Sequence, residues 1–270
     1  MGRSKYTVNC SIIFTELPIL QRPLAAANAG FSAVEFWWPF PVANPDRHDV
    51  DEFIIALRDV GVSLSGLNFF AGDMSAGERG ILSSTARESE FTQNVEVVRY
   101  IAEQTGCRIF NALYGVRLPE ETPEAQDATA LRRLSELASF TSETNSVILI
   151  EPLSAMDTYP LKTARQAVHV IENLGLRGAT TNAKLLLDVY HLAVNGDDVS
   201  ADIAEFASVI AHVQVADAPG RNEPGTGDLP IQRWFSELDA VGYSGLIGLE
   251  YSPSASSQSS FDWIADEAQG

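Results

Sequence analysis

Eight short apolar runs recur along the chain, at residues 6–13, 33–37, 64–70, 109–113, 147–153, 184–190, 209–216 and 246–251. After each run the apolar positions repeat with helical spacing. The spacing predicts helices near 17–29, 50–60, 88–104, 123–141, 164–174, 200–207 and 231–241, with a short terminal helix near Phe261. Several of these stretches stop at a glycine, as at Gly30, Gly61, Gly106, Gly175 and Gly242, the usual end of a helix. The runs are apolar on both faces, as in Val147-Ile148-Leu149-Ile150 and Leu185-Leu186-Leu187. That pattern belongs to parallel strands covered on both sides, not to half-exposed antiparallel ones. Eight strand–helix units in 270 residues come to about 34 residues each. The prediction is an α/β chain folded as one (β/α)8 barrel domain over residues 1–270. A doubly wound open sheet is the second choice. Such sheets usually begin with a glycine-rich phosphate loop, and none follows the first run.

Composition narrows the partners. Asp and Glu number 36 against 18 Lys and Arg, a formal net charge of -18. An excess of that size disfavours nucleic acid, whose phosphates need clustered Lys and Arg, and anionic membrane surfaces. Two distant cysteines, Cys10 and Cys107, make neither a disulfide framework nor a zinc-finger spacing. No stretch approaches 18 uninterrupted apolar residues, and the first run carries Asn9 without a small-residue cleavage signature. The expectation is a cytoplasmic protein with no leader, no membrane span and no nucleic-acid partner.

In a barrel of this kind, chemistry gathers at the C-terminal ends of the strands. The fifth run leads into Glu151-Pro152, the sixth into Asp188 with His191 three residues on, the seventh holds Gln214, and the eighth holds Glu250. Taken singly, such an acid is a helix cap or an ion-pair partner as readily as a catalyst. Four polar groups on four successive strands converge on one mouth. Buried carboxylates packed together are costly unless protonated, paired with Arg or Lys, or wrapped around a cation. No Lys or Arg stands in the same strand ends, so a divalent cation is the simplest neutraliser. Three carboxylates and an amide are all-oxygen ligands, which favours Mg²⁺ or Mn²⁺ over zinc. His191 is equally a structural histidine or a member of the site, whereas His212, inside the seventh run, reads as a packed core histidine.

Two loops stand out. Residues 71–80, after the third run, hold three glycines, and a loop this long is often functional. Residues 218–227, after the seventh, include Arg221. This cation near an acidic mouth suits an anionic substrate group, and an ion pair with Glu223 or a neighbour is the competing reading.

These residues together resemble the hydroxypyruvate isomerase family, within the xylose-isomerase-like barrels. The resemblance runs over nearly the whole chain. It covers Asn9-Cys10-Ser11, Val34-Glu35-Phe36, Ala71-Gly72-Asp73, Ala76-Gly77-Glu78-Arg79-Gly80, Ile150-Glu151-Pro152, Asp188-Val189-Tyr190-His191, residues 212–217, residues 221–227 and Gly248-Leu249-Glu250-Tyr251. It implies that Glu151 and Glu250 bind the metal and form the acid/base pair, with Asp188 as a further ligand. Gln214 stands where many epimerases carry His, and is taken as the fourth ligand. His191, Arg221, Glu78 and Asn68 are the residues expected to contact substrate. The implied reaction interconverts hydroxypyruvate and tartronate semialdehyde through a cis-enediolate. A 2-oxo-tetronate isomerase or ketose 3-epimerase is the alternative within the group. A phosphodiesterase acting on damaged DNA and a non-catalytic sugar-acid-binding barrel are the alternatives outside it. The expected partner is a small anionic hydroxy-oxo acid, with a homo-oligomer as a further possibility. Residues 37–40, Trp-Trp-Pro-Phe, are expected to line either the site or a subunit interface.

Overall fold

The fold is taken from a computed structural model, which describes residues 3–176 and 182–267. Eight strands are present: β1 (Tyr6–Asn9), β2 (Ala33–Phe36), β3 (Ser63–Asn68), β4 (Ile109–Asn111), β5 (Val147–Ile150), β6 (Ala183–Asp188), β7 (Ile210–Val215) and β8 (Ile247–Leu249). They pair in sequence order, all parallel, and β8 closes on β1. Around them run α1 (Arg22–Asn28), α2 (Arg47–Val60), α3 (Glu88–Thr105), α4 (Pro123–Thr144), α5 (Ala164–Leu176), α6 (Val189–Asn195), α7 (Val199–Phe206), α8 (Ile231–Ala240) and α9 (Asp262–Glu267). The predicted (β/α)8 barrel is what forms. No helix among the described residues is long and apolar enough to cross a membrane.

The strands are shorter than the apolar runs that predicted them. Past the rim of the barrel the chain turns away, so 10–13 and 69–70 are loop although apolar and mostly buried. The sixth run hides a junction. β6 ends at Asp188 and α6 begins at the next residue, a seven-residue helix that was not predicted. Asp188 caps it, its Oδ1 accepting from the backbone N–H of Tyr190 and His191. Residues 190 and 191 therefore stand on a helix, not in a strand or loop.

The main core lies between the strands and the helix ring. Edge-on ring contacts tie the layers together, Phe36 on Phe53 at 5.1 Å between centroids and Phe110 on Phe140 at 5.3 Å. Each is worth about 0.5–1.5 kcal/mol beyond area burial. Inside the barrel polar side chains pack among apolar ones such as Leu149 and Leu186. His212 Nε2 lies 2.7 Å from Glu35 Oε2, and Thr7 Oγ1 lies 2.6 Å from Ser65 Oγ. A void of only about 10 Å³ remains there, lined by Asn9, Glu35 and Gln214 among others. The barrel is a filled plug, and the open space lies above it. Cys10 and Cys107 are both buried, free thiols.

Candidate active site

Every strand carries a polar side chain at its C-terminal end or within one residue of it. In order they are Asn9, Glu35, Asn68, Asn111, Glu151 just past β5, Asp188, Gln214 and Glu250 just past β8. Register sets this layer: Asn9 pairs with Glu35, Asn68 with Asn111, and Asp188 with Gln214. All eight are buried. The amides donate to the acids. Asn111 Nδ2 donates to Glu151 Oε2 at 2.6 Å. Asn9 Nδ2 bridges Glu35 Oε1 and Glu250 Oε2 at 3.3 and 2.9 Å. Gln214 Nε2 bridges the same two oxygens. Gly248 makes room for this bridge, because a Cβ there would lie 2.6 Å from Glu35 Oε1 and 2.8 Å from Gln214 Cγ.

Above the layer opens a cavity of about 440 Å³. Glu151, Glu250, His191, Arg221, Asn68 and Trp37 line it, with Arg79, Met74 and Ser75 from the 71–80 loop. Burial raises the Glu151 carboxyl well above the usual range, and the charges of Glu250 and Asp188 add to the effect. Burial likewise pushes Glu250 up to about 8, although Arg221 opposes it. Arg221 Nη2 donates to Glu250 Oε1 and lies 4.0 Å from Asp188 Oδ2, with its guanidinium over the Tyr190 ring. Burial would lower the Arg221 pKa, but the three carboxylates outweigh it and raise the pKa further.

His191 packs in the first turn of α6. The Ser154 backbone N–H donates to its Nδ1 at 3.1 Å, and Ser154 Oγ is 2.7 Å from the same atom. Nδ1 is therefore the bare nitrogen and Nε2 carries the proton. Burial lowers the imidazole pKa to about 4, so the ring is neutral near pH 7. Its Nε2–H is a donor at the cavity wall, 3.7 Å from Asp188 Oδ2.

Among the described residues, Glu151, Asp188 and His191 bring possible ligand atoms within 4.8 Å of one another. Asp188 Oδ2 and Gln214 Oε1 are buried with no hydrogen-bond partner. Asn111 Oδ1 is a third such acceptor in the layer, and orphaned acceptors in a carboxylate cluster suit a hard cation. In the tautomer Ser154 imposes, His191 has no lone pair at Nε2 to give to a metal. The oxygens of Glu151, Asp188, Gln214 and Glu250 remain as candidate ligands.

Of the eight expected residues, Asn68, Glu151, His191, Arg221 and Glu250 line the cavity, and Asp188 and Gln214 lie in the polar layer against them. Glu78 is the exception. Its carboxylate accepts from Asp73 N and pairs with Arg87, and it does not line the cavity. No Lys or Arg stands in the strand ends themselves, but Arg221 folds back from the loop after β7 onto Glu250. Arg221 does not pair with Glu223, which instead accepts from Ser254. Of the aromatic stretch, Trp37 lines the cavity while Trp38 packs on Phe40. Asn9, Glu35, Asn111 and His212 carry no predicted role in the site. Their signal was available, since polar residues stand at or within one residue of the ends of the first, second and fourth strands as they do in the last four.

A closed parallel barrel with a buried acidic, amide-braced mouth is the architecture of a barrel enzyme whose site lies at the C-terminal ends of the strands. The chain belongs to the xylose isomerase-like TIM barrel family, whose model matches residues 23–267. A Streptomyces coelicolor protein provisionally named a hydroxypyruvate isomerase is 43% identical, over 96% of this chain and 95% of its own. The Escherichia coli hydroxypyruvate isomerase is 30% identical over 96% and 98%. The 2-oxo-tetronate isomerase of Cupriavidus necator is 29% identical over 96% and 97%. A crystal structure titled AP endonuclease, family 2, from Brucella melitensis superposes with a TM-score of 0.86 at 30% identity, covering 98% of this chain and 99% of that one. The chain is accordingly an isomerase of this family.

Proposed function

We propose that this enzyme interconverts hydroxypyruvate and tartronate semialdehyde, using Glu151 and Glu250 as the acid/base pair. The observation that carries this reading is the placement of two buried carboxyls with raised pKa on one small cavity. In hydroxypyruvate the C3 proton leaves to one glutamate, giving a cis-enediolate across C2 and C3. A proton returns to C2, and the hydroxyl proton passes from O3 to O2, so atoms and charge balance. A carboxyl with a pKa near neutrality can take and give protons at working pH, an effect worth about 10²–10⁴-fold in rate. Asn111 holds Glu151 in place, while Asn9 and Gln214 hold Glu250. The His191 Nε2–H and Asn68 are placed to meet substrate oxygens.

Mg²⁺ or Mn²⁺, held by Glu151, Asp188, Gln214 and Glu250, would supply charge stabilisation for the enediolate oxygens. Net charge -18 supports a small metabolite over a DNA substrate.

Glu151→Gln and Glu250→Gln are each expected to lower kcat by about 10²–10⁴-fold. A coupled assay with hydroxypyruvate and 2-oxo-tetronates, with and without chelator, reads this out. A folded variant that keeps turnover within a few-fold of the parent removes that glutamate from the pair. Faster turnover of a 2-oxo-tetronate than of hydroxypyruvate moves the substrate to the sibling activity.

A further inference from the structure

We propose that Arg79 anchors the carboxylate of the substrate and selects small oxo and hydroxy acids over uncharged ketoses. The inference rests on the cavity being the substrate site. It starts from a charge problem: an anion must enter a mouth built from Glu151, Asp188 and Glu250. Arg221 was the expected answer, but the fold has already committed it. It donates to Glu250 and stands 4.0 Å from Asp188 Oδ2, so its charge offsets carboxylates of the protein itself.

The cavity has a second guanidinium. Arg79 enters from the 71–80 loop and lines the same space. Its Nη1 donates to the carbonyls of Met74 and Glu78 at 2.9 and 2.6 Å. Those two bonds hold the head in place without neutralising it. Among the described residues no carboxylate lies within ion-pairing distance of Arg79, and its Nε and Nη2 have no partner. Its neighbour in sequence, Glu78, would be the obvious counter-ion, yet it turns away to Arg87 and Asp73 N. Burial and the nearby charge of Arg221 both lower the Arg79 pKa, as befits a cation lacking a partner. A planar fork with two free donor positions matches a carboxylate in bidentate geometry. An uncharged ketose leaves that cation unpaired, and a small 2-oxo acid fills it.

The loop is closed by its own backbone. Gly80 N donates to Ala71 O at 2.8 Å, and Glu78 N to Asp73 O at 3.0 Å. Arg79 therefore sits on an ordered turn and is positioned before substrate arrives, which lowers the cost of binding.

The test uses Arg79→Gln and Arg79→Lys in the full chain, with circular dichroism to confirm folding. Calorimetric titration with tartronate reads anion binding without turnover, and steady-state rates on hydroxypyruvate separate kcat from KM. Arg79→Gln is expected to weaken tartronate at least tenfold and to raise KM at least tenfold, with the smaller change in kcat. Arg79→Lys is expected to recover part of both. A wild-type protein that binds tartronate through Arg79 but does not isomerise hydroxypyruvate supports the anchor and sinks the proposed reaction. Wild-type turnover with a folded Arg79→Gln variant within twofold of the parent in tartronate affinity and KM overturns the anchor alone. A wild-type protein that ignores tartronate overturns it as well.

Discussion

Glu35 touches no part of the open cavity, yet three side chains of the site depend on it. His212 contacts its Oε2, while Asn9 and Gln214 both donate to its Oε1. A carboxylate only accepts, so it fixes which end of the Gln214 amide faces it. With Nε2 spent on Glu35 and Glu250, the Gln214 Oε1 is left free for a cation. Glu35→Gln offers Gln214 a donor as well as an acceptor and lets the amide reverse. Chelator-stripped Glu35→Gln protein is expected to bind Mn²⁺ about 10–100-fold more weakly than the parent, by calorimetry. Affinity within twofold of the parent would reduce Glu35 to a packing partner of His212. Glu35 was visible in the sequence as an acid inside the second apolar run. A single acid in an apolar run reads as an ion-pair partner, and only the contacts with His212, Asn9 and Gln214 tie it to the site. Glu151, Asp188, Gln214 and Glu250 are legible as a group, because a single acid closing an apolar run can be a cap or a pair while four such groups on successive strands are costly to bury together. The Arg221–Glu250 pair is not legible in the sequence, because the two lie 29 positions apart and only the closure of the barrel makes them neighbours.

At the level of elements, the alternation of runs and helical spacing was enough for all eight strands and most helices. It failed at α6, since seven residues are too few to show a helical period and its first two extend an apolar run. The cap that starts α6 is the same Asp188 that was read as a ligand. The two roles are compatible, because one oxygen caps and the other has no hydrogen-bond partner. Loop length and glycine content mark 71–80, and Met74, Ser75 and Arg79 of that loop line the cavity whereas Glu78 does not. Gly80 sets where that loop sits. Its φ is 102°, and a Cβ there would lie 1.9 Å from the Leu113 carbonyl oxygen beyond β4. Gly77 also has positive φ but open space around it. Gly77→Ala is therefore expected to cost only backbone strain, about 1–2 kcal/mol. Gly80→Ala must also push the loop off β4, carrying Arg79 with it. Urea unfolding should show the larger loss for Gly80→Ala, together with a higher KM for hydroxypyruvate. Equal losses in the two variants would mean that the contact with Leu113 does not hold the loop.

For the molecule as a whole, the acid excess read from composition divides into two populations. Most carboxylates are at the surface, several in ion pairs such as Lys5–Asp239 and Arg233–Glu237, each worth about 0–1 kcal/mol. A few are buried, and there the sign of the pH dependence reverses from the usual one. Asp202 in α7 is 7% exposed, with its Oδ2 unpartnered. Burial, then the adjacent charges of Asp197 and Asp198, raise it from 3.8 to about 7. The unfolded chain releases this proton near pH 4 while the folded chain keeps it to about pH 7. Its contribution is fully present below pH 4 and is lost progressively as pH rises towards 7. One pKa unit is about 1.4 kcal/mol, so the loss is at most about 4 kcal/mol. Glu151 and Glu250 act in the same direction, as does repulsion within a chain of charge -18. In chelator, the urea midpoint should fall between pH 5 and pH 8, where many proteins gain or hold stability. Asp202→Asn has no proton to lose, so it should gain on the parent as pH rises, most of the gain appearing by pH 7. A parallel pH profile for the variant and the parent would mean that Asp202 ionises in the fold as it does in water. The reversed trend would then rest on the site acids and the surface charge. Adding Mn²⁺ at pH 8 separates those two, since a bound cation restores only the part due to Glu151 and Glu250.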